Sequence, residues 1–260
     1  MQSVKVKHTV IGEGIPKICI PVTGKTAEEI CEQTKKILEL EPDLAEWRID
    51  CWEEKAGEEK ICEMLRTITD ILGEIPLLFT FRTAAEGGAR PISSKDYVKL
   101  LKTAAKTGLA DLIDVEVFSC KDQAEALIGE LQQAGARVVA SNHHFGRTPS
   151  RDEIFERLEA MEAAGADILK LAVMPEDFSD VCCLLEATNA FAQKTQRPLI
   201  TMSMGKTGVL SRLCGEITGS CVTFGAGVNA SAPGQVPAEK LRQILTEIHE
   251  LRAAGETEEN

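Results

Sequence analysis

Short apolar runs and longer amphipathic segments take turns along the chain, and their order predicts its architecture. Strand-like runs fall at Lys17 to Val22, Leu44 to Asp50, Ile75 to Arg82, Ala110 to Val117, Ala136 to Asn142, Asp167 to Val173, Pro198 to Met202 and Ser220 to Phe224. Helical patterns fill the intervals: Thr26 to Leu40, Glu58 to Leu72, from Ser94 onward, Gln123 to Gln133, Arg151 to Ala164, Phe178 to Gln193, Gly208 to Cys214 and Ala238 to Arg252. Local punctuation supports the helices. Thr26 precedes Glu29, and Ser150 precedes Glu153, at the capping-box spacing. Gly108, Gly135 and Gly165 follow helices, where a left-handed residue closes the last turn. Eight such β-α units predict an α/β fold, an all-parallel sheet closed into a (β/α)8 TIM barrel, with an open doubly wound sheet as the alternative. No low-complexity linker or shift in composition divides the chain. Residues 1–260 are therefore expected to form a single barrel domain, with a polar, acidic tail from Gly255 that frays.

Composition narrows the classes of function. With 260 residues and 43% hydrophobic content the chain can bury one sizeable core. A net charge of -12 argues against a general nucleic-acid or anionic-membrane binder, but leaves room for a local basic pocket that holds a small anion. Met1 to Ile18 shows no basic segment leading into an apolar one, and no apolar run approaches the roughly 18 residues of a membrane span. The expected location is the cytoplasm. The nine cysteines are scattered and form no C-x-x-C pair, which reads as reduced thiols rather than a disulfide framework or a zinc site.

Candidate chemistry starts at the sixth strand-like run, where Lys170 stands among apolar residues. A lysine buried there is either paired with an acid or held neutral as a nucleophile, because an isolated buried ammonium is costly. In a barrel the site lies at the C-terminal ends of the strands, and polar residues gather at those ends here. The second strand ends with Glu46, Arg48 and Asp50 at period-two spacing. The third ends at Arg82 with Glu86 beyond, and the fourth carries Asp114 and Glu116. The fifth ends Ser141-Asn142-His143-His144, and the seventh leads to Arg212. Lys170 is the candidate amine nucleophile, with Arg48 and Arg82 expected to lower its pKa from nearby. His143, which shares a strand face with Ser141, is the candidate general acid/base, and Glu86 is its orienting carboxylate. Arg212 suits a bidentate grip on a substrate carboxylate, and Ser231 and Gln235 add neutral hydrogen bonds. Gly87 and Gly88 are expected to give the loop after Glu86 freedom to move. His8 and His249 read as structural or solvent-facing.

Six motif pieces, in order and at strand ends, carry a resemblance. They are Glu46-Trp47-Arg48-Ile49-Asp50; Phe81-Arg82-Thr83 with Glu86-Gly87-Gly88; Ser141-Asn142-His143-His144-Phe145; Ala166-Asp167-Ile168-Leu169-Lys170; Met202-Ser203-Met204-Gly205 with Ser211-Arg212; and Ala230-Ser231-Ala232-Pro233-Gly234-Gln235. From about Lys17 to Gln243 the chain resembles the type I 3-dehydroquinate dehydratases, Schiff-base lyases of the shikimate pathway. The resemblance implies a syn dehydration of 3-dehydroquinate to 3-dehydroshikimate with no metal and no cofactor. It implies an imine on Lys170, proton transfer by His143 and tuning of His143 by Glu86. Glu46, Arg48 and Arg82 would bind ring hydroxyls, and Arg212, Ser231 and Gln235 the carboxylate and nearby groups. Met202, Met204 and Phe224 would line the apolar side of the pocket, and the assembly would be a homodimer. Two positions depart from the family pattern: His144 stands where Asp or Asn is common, and Pro21 where a small hydroxyl residue is common.

Three other readings stay open at this level. An aldolase-like Schiff-base barrel also needs a strand-six lysine, but no glycine-rich phosphate loop accompanies it here. Gly225-Ala226-Gly227-Val228-Asn229-Ala230 fits the G-x-G-x-x-A dinucleotide fingerprint, yet lacks the second strand and the acid that a β-α-β unit supplies. A non-catalytic barrel that binds a polyhydroxy acid would not need an imine-forming lysine.

Overall fold

The computed structural model describes residues 2–54, 57–120, 123–227 and 231–258. A short antiparallel hairpin, β1 (Val4–Val6) and β2 (Thr9–Ile11), comes first. Strands and helices then alternate: β3 (Lys17–Val22), α1 (Ala27–Leu38), β4 (Leu44–Arg48), α2 (Glu58–Leu72), β5 (Leu77–Thr80), α3 (Ser94–Lys106), β6 (Leu112–Glu116) and α4 (Ala124–Gln133). The second half follows with β7 (Arg137–His144), α5 (Arg151–Ala163), β8 (Ile168–Val173), α6 (Phe178–Ala192), β9 (Leu199–Ser203), α7 (Val209–Leu213), α8 (Gly215–Thr218), β10 (Val222–Phe224) and α9 (Ala238–Glu258). The eight strands from β3 to β10 form one parallel sheet in the order β10-β3-β4-β5-β6-β7-β8-β9. At the seam Leu199 bridges Ser220 in parallel, and Cys221 N–H donates to Leu199 O at 2.8 Å. The seam is also held by Ser220 Oγ, which accepts from Thr201 N at 2.9 Å. The sheet is a nearly closed barrel with helices outside it, as the alternating pattern predicts.

The alternation of each strand separates two environments. Outward residues such as Trp47, Phe79 and Ile113 join the large core between sheet and helices, where Trp47 and Phe79 meet edge to face at 5.6 Å. Inward residues Cys19, Leu44, Leu78, Leu112, Val139 and Ile168 pack a second, smaller core at the N-terminal end of the barrel. Val6 and Ile11 from the hairpin belong to that inner core and close the barrel floor. Further up the same strands the inward positions turn polar, with Glu46, Thr80, Asp114, Ser141 and Lys170 all buried. Filling the floor with apolar side chains thus confines the charged groups to the end where the loops emerge.

Caps form where the sequence places them. Ser150 and Glu153 make a reciprocal capping box, and Thr26 Oγ1 accepts from Glu29 N. Gly135 and Gly165 take φ of 98° and 87°, left-handed values that a side chain would disfavour. Several boundaries move. The second strand ends at Arg48, because residues 49–51 wind into a 3-10 turn that aims Asp50 back at Arg48. The third ends at Thr80, while β7 runs on to His144. The helix expected over 208–214 is α7, with a second short helix, α8, directly after it, and α9 continues to Glu258 through the expected tail. The hairpin has no counterpart in the sequence reading. Gly225 lies tight against Ile18 and Ala238, and a Cβ on Gly227 would press on Ile20 and Ile37. Those two glycines are packing devices between β3 and the outer helices; Val228, Asn229 and Ala230 of the fingerprint lie outside the described residues. No helix among the described residues is long and apolar enough to cross a membrane.

Candidate active site

Lys170 is held in place by register. On β8 it pairs with Ser141 of β7 on one side and Ile200 of β9 on the other, and its side chain points into the barrel. His143 is two residues above Ser141 on the same face, so the amine and the imidazole open into one space. That space is a cavity of about 190 Å³ at the C-terminal end of the barrel. All twelve residues singled out from the sequence line it: Lys170, His143 and Glu86; Glu46, Arg48 and Arg82; Arg212, Ser231 and Gln235; Met202, Met204 and Phe224. Phe145 and Gly87 line it too and were not among them. His144, on the opposite strand face, does not.

The surroundings of the amine differ from the expectation. Lys170 Nζ meets carboxylates, Asp114 Oδ2 at 3.4 Å and Glu46 Oε1 at 3.7 Å, and lies 4.5 Å from the centre of the Phe224 ring. The two arginines expected to act on it are already committed. Arg48 makes a two-pronged contact with Asp50, at 2.8 and 2.7 Å. Arg82 gives Nη1 to Glu116 at 2.9 Å and to Ser141 at 3.0 Å, and Nη2 to Asp114 at 2.8 Å. Burial works against the Arg82 charge, but Asp114, Glu116 and Glu86 more than offset it and hold the guanidinium firmly protonated. Burial likewise opposes ionisation of Asp114, and Arg82 and Lys170 reverse the balance, keeping it below the usual carboxylate range. The result is a buried lattice of alternating charge, legible in the sequence only as period-two acids on the fourth strand.

The histidine and its carboxylate form a second unit. Glu86 Oε2 accepts from the His143 backbone N–H at 2.9 Å and lies 2.9 Å from His143 Nδ1, while Oε1 accepts from Asn142 Nδ2 at 2.9 Å. With Nδ1 turned to Glu86, Nε2 is the ring nitrogen left to face the cavity. Burial, then the charge of Arg82, then that of Lys170 push His143 well below the ordinary histidine value, so the ring is neutral. Burial and the neighbouring Glu116 raise Glu86 to about 8, despite Arg82. Gly87, at φ 80°, seats the Phe145 ring where a Cβ would collide with it, and a Cβ on Gly88 would strike Arg82 O. These glycines therefore serve close packing at the cavity rim.

The remaining wall supplies a cation, Arg212, that meets no carboxylate among the described residues. Arg212 is 2% exposed, and its Nε and Nη1 have no hydrogen-bond partner among the described residues; Nη2 donates to Pro233 O at 3.1 Å. Burial alone lowers it to about 10. Ser231 and Gln235 hold each other, with Ser231 N donating to Gln235 Oε1 at 2.7 Å and Gln235 Nε2 to Ser231 Oγ at 3.0 Å. Met202, Met204 and Phe224 are part of the inner apolar core and form the dry side of the cavity. Outside the cavity, His8 is exposed and His249 pairs with Glu216 at 2.8 Å. Chemically, the cavity offers an amine between carboxylates, a neutral imidazole oriented by Glu86, and a guanidinium with two nitrogens unpartnered among the described residues.

Comparison with known proteins follows the same line. The type I 3-dehydroquinase family profile matches residues 18–252. A 3-dehydroquinate dehydratase of Listeria monocytogenes is 46% identical over 249 residues, which span 96% of this chain and 99% of that one. One from Bacillus velezensis is 46% identical over 247 residues, 95% of this chain and 98% of that one. The crystal structure of the type I 3-dehydroquinate dehydratase of Clostridium difficile superposes with a TM-score of 0.93 at 43% identity, covering 96% of this chain and 99% of that one.

Proposed function

The chain belongs to the type I 3-dehydroquinase family, and from that premise we propose how its residues carry out the dehydration of 3-dehydroquinate to 3-dehydroshikimate in the shikimate pathway. The observation that carries the proposal is the shared cavity: Lys170 and His143 open into it from adjacent strands, with His143 Nδ1 tied to Glu86. The Lys170 amine adds to the substrate ketone, and loss of water leaves an imine. The nitrogen then carries the positive charge, and Asp114 and Glu46 already face that point, favouring the iminium over the neutral imine. An iminium draws electrons from the adjacent carbon and acidifies its hydrogen. His143 Nε2 takes that proton, forming an enamine. The enamine expels the hydroxyl one carbon further on, and His143 returns the proton to it as water leaves. Hydrolysis of the conjugated iminium frees the product and the lysine.

Recognition divides the same cavity. Arg212 supplies Nε and Nη1, which have no partner among the described residues, to the substrate carboxylate. Glu46 and Arg48 bind ring hydroxyls, with Ser231 and Gln235 at the carboxylate end. Arg82 acts through Asp114 and Glu116, to which Nη2 and Nη1 donate. The whole chain works as one barrel domain, in the cytoplasm, as a homodimer; the last two are carried over from the family.

Acid/base chemistry sets the pH range. Below about 8 the Glu86–His143 pair holds a proton on Glu86, which then donates to Nδ1 and leaves Nε2 protonated. Loss of that proton makes Nδ1 the donor and frees the Nε2 lone pair. The rate is expected to rise with pH through about 8 and then level off. The test is formation of the conjugated product by wild type, Lys170→Ala and His143→Ala. The proposal predicts a loss of about a thousandfold or more in kcat for each variant. Full activity in either removes that residue from the mechanism.

A further inference from the structure

A line of hydrogen bonds leaves the cavity through the barrel wall. Glu86 Oε1 accepts from Asn142 Nδ2 at 2.9 Å, and Asn142 Oδ1 accepts from Arg157 Nη1 at 3.0 Å. Asn142 is buried at 5% exposure beside His143 in β7, and Arg157 comes from α5, with its guanidinium 4.9 Å from the centre of the Phe118 ring. An asparagine amide can present either end to a neighbour. Arginine has no acceptor, so only the amide oxygen can face it, and the amide nitrogen must face Glu86. We propose that Arg157 and Asn142 are positioning residues for the general base: Arg157 fixes the orientation of the Asn142 amide, which keeps Glu86 supplied with a donor and therefore available as the acceptor for His143 Nδ1. The inference rests on the assignment of His143 and Glu86 made above.

The consequence for proton binding follows from that geometry. Without Arg157 the amide is free to turn and set Oδ1 against Glu86 Oε1. Two oxygens at hydrogen-bond distance need a proton between them, and Glu86 would retain it to higher pH. The other charges around Glu86 are Arg82, 3.6 Å away, Glu116 and Asp114 from β6, and His143 itself; none of them contacts the Asn142 amide. On the far side of β7, His144 sits near Arg157, Arg147 and Glu153. Burial and the two arginines lower it to about 4, so it stays neutral while Glu86 titrates.

The experiment is the pH profile of kcat/KM with 3-dehydroquinate for the wild type, Arg157→Met, Arg157→Lys, Asn142→Ala and the Arg157→Met/Asn142→Ala double variant. Arg157→Met is expected to move the limb near pH 8 upward by about one unit, a roughly tenfold change in proton affinity, with KM above the limb changed by less than about twofold. Arg157→Lys, which keeps a donor and no acceptor, restores the limb. Asn142→Ala shifts it in the same direction, and adding Arg157→Met to that background shifts it no further, because the arginine acts through the amide. A generally loosened fold would not produce that non-additivity. An unmoved limb in Arg157→Met, or shifts that simply add in the double variant, overturn the proposal. Glu86→Gln separates the two levels of the argument. A limb absent there but unmoved in Arg157→Met overturns the positioning line alone, whereas a limb that persists in Glu86→Gln overturns the base assignment and the line with it.

Discussion

Arg212 is buried with two of its three nitrogens unpaired among the described residues, an arrangement that weakens the free protein and suits a carboxylate ligand. Removing the charge should therefore pull stability and binding in opposite directions. Arg212→Met is expected to raise unfolding stability by about 1–3 kcal/mol, the scale of the burial that depresses its pKa, while raising KM by roughly a hundredfold as a charge-assisted pair is lost. Urea titration and steady-state kinetics on the same preparation check both halves. A variant that binds substrate normally would show that the carboxylate is gripped elsewhere. Lys170 stands apart in the same cavity: it is paired, through Asp114 and Glu46, with groups that also suit a positive imine nitrogen. The arginines that the sequence suggested as its neighbours are bound to acids of their own.

Between residues and whole barrel, the ends of β5, β6 and β7 act as one unit because a single side chain joins them. Arg82, just past β5, bonds Asp114 and Glu116 on β6 and Ser141 on β7, with all four residues buried. Arg82→Met leaves buried Glu116 without its cation and Asp114 with Lys170 alone. A loss of about 3–5 kcal/mol in unfolding free energy is expected, as for other broken buried ion pairs. Guanidinium denaturation measures it, and a loss under about 1 kcal/mol would mean the lattice is wetter than it looks. The strands were legible beforehand, though not their last residues, because periodicity finds strands, and the barrel then says which end faces the loops. That placed His143, Glu86 and Lys170 without any contact information. What the sequence did not disclose is who pairs with whom. Asp114 and Lys170 are 56 residues apart and meet only through the register of β6, β7 and β8. The β1–β2 hairpin escaped for another reason: strands of three residues are too short to display a period, and their role emerges only when Val6 and Ile11 reach the barrel floor.

For the molecule as a whole, the same buried groups set how stability varies with pH. Glu86 has a folded pKa raised to about 8 from 4.5, so the folded state binds more protons than the unfolded chain between those values, and stability falls as pH rises across them. His143 has the opposite sign. Its folded pKa is depressed, so it adds stability as pH rises toward the unfolded value of about 6.5 and nothing beyond. Between about pH 6.5 and 8 only the Glu86 slope remains, and unfolding free energy should decline by roughly 2 kcal/mol. Glu86→Gln should flatten that window; an equally steep decline in the variant would assign it to another group. Activity and stability therefore run against each other near pH 8, because the form of the Glu86–His143 pair that accepts a proton is the one the fold disfavours. The central claim is that the chain works through an imine on Lys170. Borohydride reduction in the presence of 3-dehydroquinate, followed by peptide mass spectrometry, tests it most directly. The account predicts a substrate-derived adduct on the peptide carrying Lys170, absent without substrate and absent in Lys170→Ala. No adduct on that peptide, with Lys170→Ala still forming product at the wild-type rate, would contradict it.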